Sequence, residues 1–297
     1  IDGGELLITS DAPLSRATAI INNTGDAHLV DYVKVYDVNG TEEHTISATN
    51  SWRLGGTTNY WIFPPMQYTF IGTGNWDEPS NWEQNILPAE IDNIEVLSGA
   101  TLIINGNRTI NNIDIDGVLD IGSDTLIVNG SSVVADSIHI GTGMLDANGV
   151  FDATGGFVTF TDAGNLTLDS TVASLGILST TNGTVTYDAA GDQDIVADAY
   201  YSLTAGGGSG IKTLSGDVTV LGNLKLDTDV TIAMDTHDLT VTDITDIDGT
   251  LAVAGNTLTL DGGSDIDGTI TISTGTVDAN GAFDATNGMI TFTDAGD

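Results

Sequence analysis

Short runs of alternating apolar and polar residues recur along most of the chain, and a glycine precedes many of them. In the C-terminal half these runs are Gly249 to Val253, Gly268 to Ile272 and Gly288 to Phe292, which begin 19 and 20 residues apart. Alternation of period two is typical of β-strands with one buried face, and the Gly, Asn and Asp residues between the runs are typical of turns. The pattern predicts short strands joined by tight turns at a regular interval.

A longer repeat contains the shorter one. Residues 145–164 recur at 277–296, and the match extends upstream at the same offset of 132 residues, so that Gly117 corresponds to Gly249. A period of about twenty residues made of strands and turns is typical of a stacked solenoid, in which each coil buries its inward side chains against its neighbours. We therefore predict an all-β fold, a parallel β-helix or β-solenoid with coils of about 20 residues, over residues 91–297.

Residues 1–66 have a sequence pattern that differs from that of the repeats. Asp31 to Tyr36 reads as a strand, and Asp37 to Gly40 has the composition of a hairpin-type turn. Two consecutive prolines then interrupt the chain, which is a break signal. We predict a small N-terminal β module that is sandwich-like, and a linker or cap at residues 67–90 before the solenoid.

The linker contains Trp76 and Trp82 in the pattern G-x-W-x(5)-W-x(5)-P. This pattern resembles the opening segment of many secreted bacterial β-solenoid proteins, especially surface proteins of the Bacteroidetes. The two indole rings could stack on a sugar, which makes Trp76 and Trp82 candidate ligand-binding residues. They could instead plug the open end of the solenoid, as a terminal coil requires. The cap interpretation is favoured.

A second resemblance lies further along, at Gly183 to Tyr187, Gly210 to Val220 and Gly222 to Leu224. This succession is similar to the repeat units of long adhesin-like proteins of gliding and marine Bacteroidetes, which are often exported by the type IX secretion route. Together with the tryptophan segment, the resemblance covers most of residues 68–297. It implies an extracellular location on the bacterial cell surface and a role in adhesion or filament formation, and it offers no catalytic residue.

The charge of the chain narrows the choice of partners. Six Lys and Arg residues face 42 Asp and Glu residues, a formal net charge of −36. Such a chain repels phosphate backbones and anionic lipid, so nucleic acid and acidic lipid are poor partners, and we expect neither nucleic-acid binding nor membrane insertion. The absence of cysteine excludes disulfides and thiol chemistry. No apolar run is long enough to span a membrane. Because the sequence starts without Met and stops in mid-repeat, we expect a segment of a longer secreted protein.

The element Asp-x-(Asp/Asn)-Gly recurs along the chain and suggests calcium. Paired carboxylates stacked coil above coil could supply several of the oxygens that Ca²⁺ needs, in a weak site. The alternative is turn chemistry alone, since Asx-Gly adopts left-handed backbone conformations readily, and it is favoured. The candidate metal-binding residues are Asp114, Asp116, Asp246, Asp248, Asp265 and Asp267.

Three further patterns in the sequence bear on function. Thr-x-Thr pairs such as Thr257 to Thr259 and Thr269 to Thr271 could form a flat threonine ladder of the kind that orders ice, but an outward strand position favours β-branched polar residues in any case. Tyr200 and Tyr201 have no counterpart in the other copy and are candidates for an exposed contact. The few basic residues after residue 90 form no catalytic pattern, so we predict that the chain is not an enzyme.

The expected role is structural: a stalk or filament subunit of a large extracellular surface adhesin. The expected partners are neighbouring repeats or other subunits, joined end to end, and also glycans or cell surfaces. The alternatives are a carbohydrate-binding module that acts through exposed aromatic residues, a polysaccharide-active β-helix enzyme and an ice-binding solenoid.

Overall fold

A computed structural model describes residues 65–293 in full and, among residues 1–64, only the backbone of eight short strands. These strands are β1 (Leu6–Ile8), β2 (Ala19–Ile21), β3 (His28–Asp31), β4 (Val33–Tyr36), β5 (Val38–Gly40), β6 (Ile46–Thr49), β7 (Trp52–Gly55) and β8 (Trp61–Ile62). Their described pairings, β1-β4-β7, β2-β5 and β3-β6-β8, are all parallel.

The hairpin-type turn predicted at Asp37 to Gly40 is wrong. Val38–Gly40 is strand β5, which pairs in parallel with β2. A two-residue hairpin joins antiparallel strands, whereas parallel strands need a longer crossover connection. The predicted sandwich-like packing of residues 1–66 concerns side chains that lie outside the described residues, so it stays a prediction.

From residue 67 onward the chain is a parallel β-solenoid, which confirms the predicted fold class. Successive strands lie on three faces. Face 1a contains β9 (Gln67–Phe70), β11 (Asn93–Val96), β14 (Ile113–Ile115), β17 (Ser132–Val134), β20 (Phe151–Asp152) and β23 (Val172–Ser174). Face 2a contains β10 (Thr73–Asn75), β12 (Thr101–Ile103), β15 (Val118–Gly122), β18 (Ser137–Ile140), β21 (Phe157–Phe160) and β24 (Ile177–Leu178). A single turn of 3₁₀ helix, Pro79–Asn81, follows β10.

Face 3 runs through the whole stack, and two further sheets replace faces 1a and 2a in its second half. Face 3 contains β13 (Arg108–Ile110), β16 (Thr125–Val128), β19 (Met144–Ala147), β22 (Asn165–Leu168), β25 (Thr184–Tyr187), β28 (Ser202–Ala205), β31 (Leu224–Leu226), β34 (Thr245–Ile247), β37 (Ser264–Ile266) and β40 (Phe283–Asp284). Face 1b contains β26 (Gln193–Ile195), β29 (Ile211–Leu214), β32 (Thr231–Ala233), β35 (Thr250–Val253), β38 (Thr269–Ile272) and β41 (Met289–Phe292). Face 2b contains β27 (Ala199–Tyr200), β30 (Val218–Val220), β33 (Leu239–Val241), β36 (Thr257–Leu260) and β39 (Thr276–Ala279).

The alternation in the sequence produces this stack directly. In β16, Leu126 and Val128 point inward and are fully buried, while Thr125 and Ile127 alternate with them. Leu126 pairs with Leu145 of β19, one turn of about 19 residues later. Each fully buried side chain of this size stabilises the fold by about 2 kcal/mol relative to exposure. The inward residues of successive turns form one hydrophobic core that extends from Tyr68 to Ile272.

The stack is continuous on only one face. Sheets 1a and 2a stop at β23 and β24, and sheets 1b and 2b begin at β26 and β27, whereas face 3 continues through β22, β25 and β28. We call this interruption the seam. It divides the solenoid into two blocks that share one sheet.

The 132-residue repeat does not correspond to a whole number of solenoid turns. Strand β14 corresponds to β34 in the repeat, twenty strands later, and three strands make one turn, so the two copies are six turns and two strands apart. The first copy therefore places β14 on face 1a, and the second copy places β34 on face 3. Equivalent residues of the two copies lie on different faces of the solenoid.

Candidate functional site

The predicted cap residues form an aromatic cluster at the first turns of the solenoid. Trp82 is fully buried, Trp76 is 3% exposed, and the Trp82 indole nitrogen donates a hydrogen bond to the Trp76 carbonyl at 2.8 Å. Phe70 and Trp76 contact the Trp82 ring edge to face, with centroids 5.1 and 4.8 Å away. Such pairs stabilise beyond the area that they bury. Neither indole has a free face for a sugar, so the ligand role predicted for Trp76 and Trp82 is wrong.

The two candidate tyrosines differ in their exposure to solvent. Tyr200 points inward and is fully buried, whereas Tyr201 is 40% exposed. The strand alternation explains the difference, since consecutive residues of a strand point to opposite sides. The exposed contact predicted for Tyr200 is therefore wrong, and Tyr201 alone is available at the surface.

The six candidate metal ligands form two groups that cannot share a site. Asp114 and Asp116 lie at face 1a and are exposed, whereas Asp246 lies on face 3. The copies are more than six turns apart, which is about 32 Å at ~4.8 Å per turn. Asp114 has Glu95 beside it on the neighbouring strand, and burial, with the charges of Asp116 and Glu95, raises its pKa.

On face 3 the remaining four aspartates come together. Asp246 pairs with Asp265, which pairs with Asp284, and the chain continues from these strands to Asp248 and Asp267 at the corner. We call these five residues the acidic columns. Lys225 pairs with Asp246 on the other side and forms an ion pair with Asp227. Burial and the nearby charge of Asp248 raise the pKa of Asp246, while Lys225 lowers it.

The geometry of the acidic columns fits carboxylate pairs better than a closed metal cage. Among residues 65–293, no group of three or more His, Cys, Asp and Glu side chains is placed to hold a metal ion. Calcium takes about six to eight oxygen ligands, so carbonyl groups or water would have to complete a site here. The columns are therefore suited at most to weak cation binding.

A group of polar side chains lies in the core beside the seam and was not predicted from the sequence. Lys212 of β29 is fully buried, and its ammonium donates hydrogen bonds to the carbonyls of Ala189 and Gly191. Gln193, which pairs with Lys212, donates from its amide to the carbonyls of Leu168 and Ser170. The sequence does contain a signal for the burial of Lys212, because the strand alternation that points Leu214 inward also points Lys212 inward.

A pocket of about 430 Å³ lies at this position, and Asp169, Asp192, Gln193 and Thr213 are among its lining residues. Asp169 has one carboxylate oxygen that is inaccessible and makes no hydrogen bond with the described residues. Burial raises the pKa of Asp169, with further contributions from Asp146 and Asp188 that exceed the opposing effect of Lys212. The seam thus places the long polar side chains of Lys212 and Gln193 in the interior, whereas the buried polar residues at inward positions of β17, β34 and β37 are the smaller Ser132, Thr245 and Ser264.

The predicted threonine pairs lie on two different faces. Thr257 and Thr259 belong to face 2b, and Thr269 and Thr271 belong to face 1b. Each is an outward position, because the intervening leucine or isoleucine is buried.

The fold and these surfaces define the chain as a parallel β-solenoid repeat protein. Comparisons with protein-family models, curated proteins and solved structures find no significant match. Within residues 65–293 and the strands before them, no helix has the length and apolar character needed to cross a membrane.

Proposed function

We propose that the chain is a structural segment, a stalk or filament subunit, of a large extracellular bacterial surface adhesin. The observation that supports this most is the continuity of the stack: face 3 contains ten strands in sequence, and one hydrophobic core lies beneath them. Ten strands at ~4.8 Å extend over about 45 Å. Because each coil packs against adjacent coils only, coils can be added to such a rod without altering its fold.

The last described turn exposes apolar side chains. Phe160 of β21 is 3% exposed, whereas Phe292, its counterpart in the second copy, is 71% exposed. Phe283 and Met289 beside it are exposed as well. Phe283 and Phe292, with Ile272, Val277 and Ile290, line an apolar hollow of about 440 Å³. Open strand edges invite pairing with further strands. The proposed occupant is a further solenoid turn, from a neighbouring repeat or from another subunit.

The remaining predictions become narrower proposals. Of the four residues proposed for glycan binding, Trp76, Trp82 and Tyr200 are buried, so this role would rest on Tyr201. The proposed calcium site is restricted to the acidic columns. The chain is proposed to be without catalytic activity, because the interior of the solenoid is a packed core and the pocket at the seam has carboxylates but no Lys, Arg or His among its lining residues.

A spacer replacement in the producing cells tests the structural role. Residues 65–293 are exchanged for an unrelated rigid domain of the same length, and a second strain receives a flexible Gly/Ser linker with the same number of residues. If the segment is a stalk, the rigid domain restores adhesion and the flexible linker restores less, because a coil of that length does not keep its ends apart. Protease treatment of intact cells checks the surface location.

The opposite result is equally informative. Loss of adhesion with the rigid replacement, while the protein still reaches the surface in normal amount, would show that the segment itself makes the adhesive contact. The stalk proposal would then be abandoned.

A further inference from the structure

The two ends of the described solenoid are built differently. At the first coil, residues 81–84 run antiparallel to the outer edge of β9 and close it. The amide of Glu83 donates a hydrogen bond to the Thr69 carbonyl at 2.9 Å. The amide of Ile71 donates another to the Asn81 carbonyl, also at 2.9 Å. At the other end, β39, β40 and β41 each pair with a strand on one side only within residues 65–293, so this edge is open on all three faces.

The repeat itself shows what covers such an edge. At the offset of 132 residues, β39, β40 and β41 correspond to β19, β20 and β21. In the first copy, the next coil, residues 165–183, pairs with these three strands through β22, β23 and β24. The same coil covers Phe160 at the end of β21, because a Cβ atom added at Gly183 would lie 2.2 Å from the Phe160 ring. The first copy therefore shows this edge with its partner in place.

The side chains at the open edge match those that this coil covers in the first copy. Phe151 is fully buried, whereas its counterpart Phe283 is 40% exposed. Phe160 is 3% exposed, whereas its counterpart Phe292 is 71% exposed. Beside them, apolar residues replace apolar residues, with Val277 in place of Leu145 and Ile290 in place of Val158. An edge with the same pattern accepts the same cover, and burial of its apolar groups favours the contact.

Charge separates this partner from another molecule of the same chain. The open edge has Asp278 on β39 and Asp284 on β40, and their counterparts in the first copy pair with threonine and serine. Residues 165–183 contain a single charged side chain, Asp169. Two open ends placed together would set one aspartate-bearing edge against another, and like charges on facing strands are destabilising. A head-to-tail contact between two molecules would meet the edge of β9, which residues 81–84 already occupy.

We propose that the edge formed by β39, β40 and β41 is a docking site for one solenoid coil with the sequence pattern of residues 165–183. A further repeat of this type supplies the coil, and the first coil of another molecule of this chain does not. The coil adds one parallel strand to each face, with its equivalent of Leu166 opposite Val277 and its equivalent of Leu178 opposite Ile290. Main-chain hydrogen bonds provide affinity, and the inward side chains provide specificity. This inference rests on the end-to-end assembly proposed above and names its partner.

The test is titration of the full chain with a synthetic peptide of residues 165–183, followed by calorimetry. We expect one peptide to bind per chain and to raise the melting temperature. A control peptide with Leu166→Asp and Leu168→Asp places charges at inward positions and should bind several-fold more weakly. In the chain, Phe292→Asp should weaken binding several-fold. Ile244→Asp is the matched control, because Ile244 is also exposed, at 51%, but lies between β33 and β34.

The register can be tested separately, because the chain has no cysteine. In the first copy, the counterpart of Asp278 pairs with Thr167, and paired residues of neighbouring strands are close enough for a disulfide. Asp278→Cys in the chain should therefore crosslink to a peptide with Thr167→Cys. A peptide with Thr180→Cys should not crosslink, and equal crosslinking of both peptides would overturn the proposed register.

A covalent version protects the test against an insoluble peptide. Residues 165–183 are fused after Gly296, which keeps the offset of the repeat. We expect the fusion to resist urea better than the same fusion with Leu166→Asp and Leu168→Asp, and to bind less hydrophobic dye than the unaltered chain.

Three results would overturn the proposal. They are equal stability of the two fusions, equal effects of Phe292→Asp and Ile244→Asp on peptide binding, and a dimer of the unaltered chain that Phe292→Asp dissociates in sedimentation. The last result would identify another molecule of this chain as the occupant. None of these measurements involves adhesion, so the spacer replacement can support the stalk while this docking site fails, and the reverse.

Discussion

The hydroxyl groups of Tyr187 and Tyr200 lie 2.9 Å apart inside the solenoid, at the seam. Tyr200 donates its proton to the carbonyl of Val196, and the amide of Val196 donates to the oxygen of Tyr187. Tyr187 must therefore donate to Tyr200, which closes a ring of three hydrogen bonds. Burial raises the pKa of Tyr187 to about 12, so the ring is intact at neutral pH. This ring binds face 3 to the first strands of the second block.

We predict that Tyr200→Phe destabilises the chain by about 1–3 kcal/mol, because it leaves the Val196 carbonyl without its donor and the Tyr187 hydroxyl proton without its acceptor. Tyr187→Phe should cost a similar amount, and the double variant less than the sum, since both changes remove the same ring. Urea unfolding measures these differences. Tyr201→Phe is the control and should change stability by less than about 0.5 kcal/mol. Additive losses would contradict a closed ring.

The second prediction concerns acid. Burial raises the pKa of Asp114, Asp146, Asp169, Asp198 and Asp246 in the folded chain. A carboxyl group with a raised pKa binds its proton in the folded chain at a pH where the unfolded chain has released it. The free energy of unfolding should therefore increase as the pH falls from about 7 to about 4.5, within the window above the ordinary aspartate pKa of 3.8.

Chemical unfolding at dilute concentration measures this pH dependence and avoids precipitation near the isoelectric point of 4.1. Asp152 and Asp284 act in the opposite direction, because hydrogen bonds from Thr154 and Thr286 lower their pKa values. Their substitution by Asn should enlarge the gain in stability at low pH. A stability that falls steadily from neutral pH downward would contradict the prediction.

The third prediction concerns calcium at the acidic columns. At low salt, millimolar Ca²⁺ should raise the melting temperature more than NaCl of equal ionic strength, because a bound cation relieves the repulsion between Asp246, Asp248, Asp265 and Asp267. The double variant Asp265→Asn with Asp267→Asn should lose this excess.

Asp114→Asn with Asp116→Asn is the matched control and should keep the response, since that pair lies about 32 Å away along the stack at ~4.8 Å per turn. Calcium binding is excluded if a chelator leaves the melting temperature unchanged at low salt and added Ca²⁺ acts no differently from sodium.

The period of the sequence was enough to predict the solenoid, because an inward Leu126 and an inward Leu145 one coil later can be read from the alternation alone. The faces could not be predicted. Asp114 and Asp246 are equivalent in the repeat, yet twenty strands separate them and three strands make a turn, so they lie on different faces. A small change in coil length decides this outcome, and the sequence shows coil length only to within one or two residues.

The candidate surfaces were harder to predict for a second reason. Tryptophan side chains such as Trp76 and Trp82 occur both in hydrophobic cores and in sugar-binding sites. Only the packing of Phe70 against Trp82 decides between a cap and a sugar-binding role. Lys212 illustrates the converse: its charge suggests the surface, but the strand alternation and two backbone carbonyls hold it in the core. Local composition does not contain these tertiary contacts.

The last prediction uses two neighbouring glycines to test how closely the coils stack. A Cβ atom added at Gly262 would lie 2.0 Å from the carbonyl oxygen of Asp243 in the preceding coil, whereas a Cβ at Gly263 would meet nothing within 4 Å. Gly262→Ala should therefore force two coils apart and cost about 1–3 kcal/mol. Gly263→Ala should be neutral or stabilise by up to about 1 kcal/mol, because it restricts the unfolded chain. Urea unfolding of both variants measures the difference, and equal effects would show that the coils are not in contact at this corner.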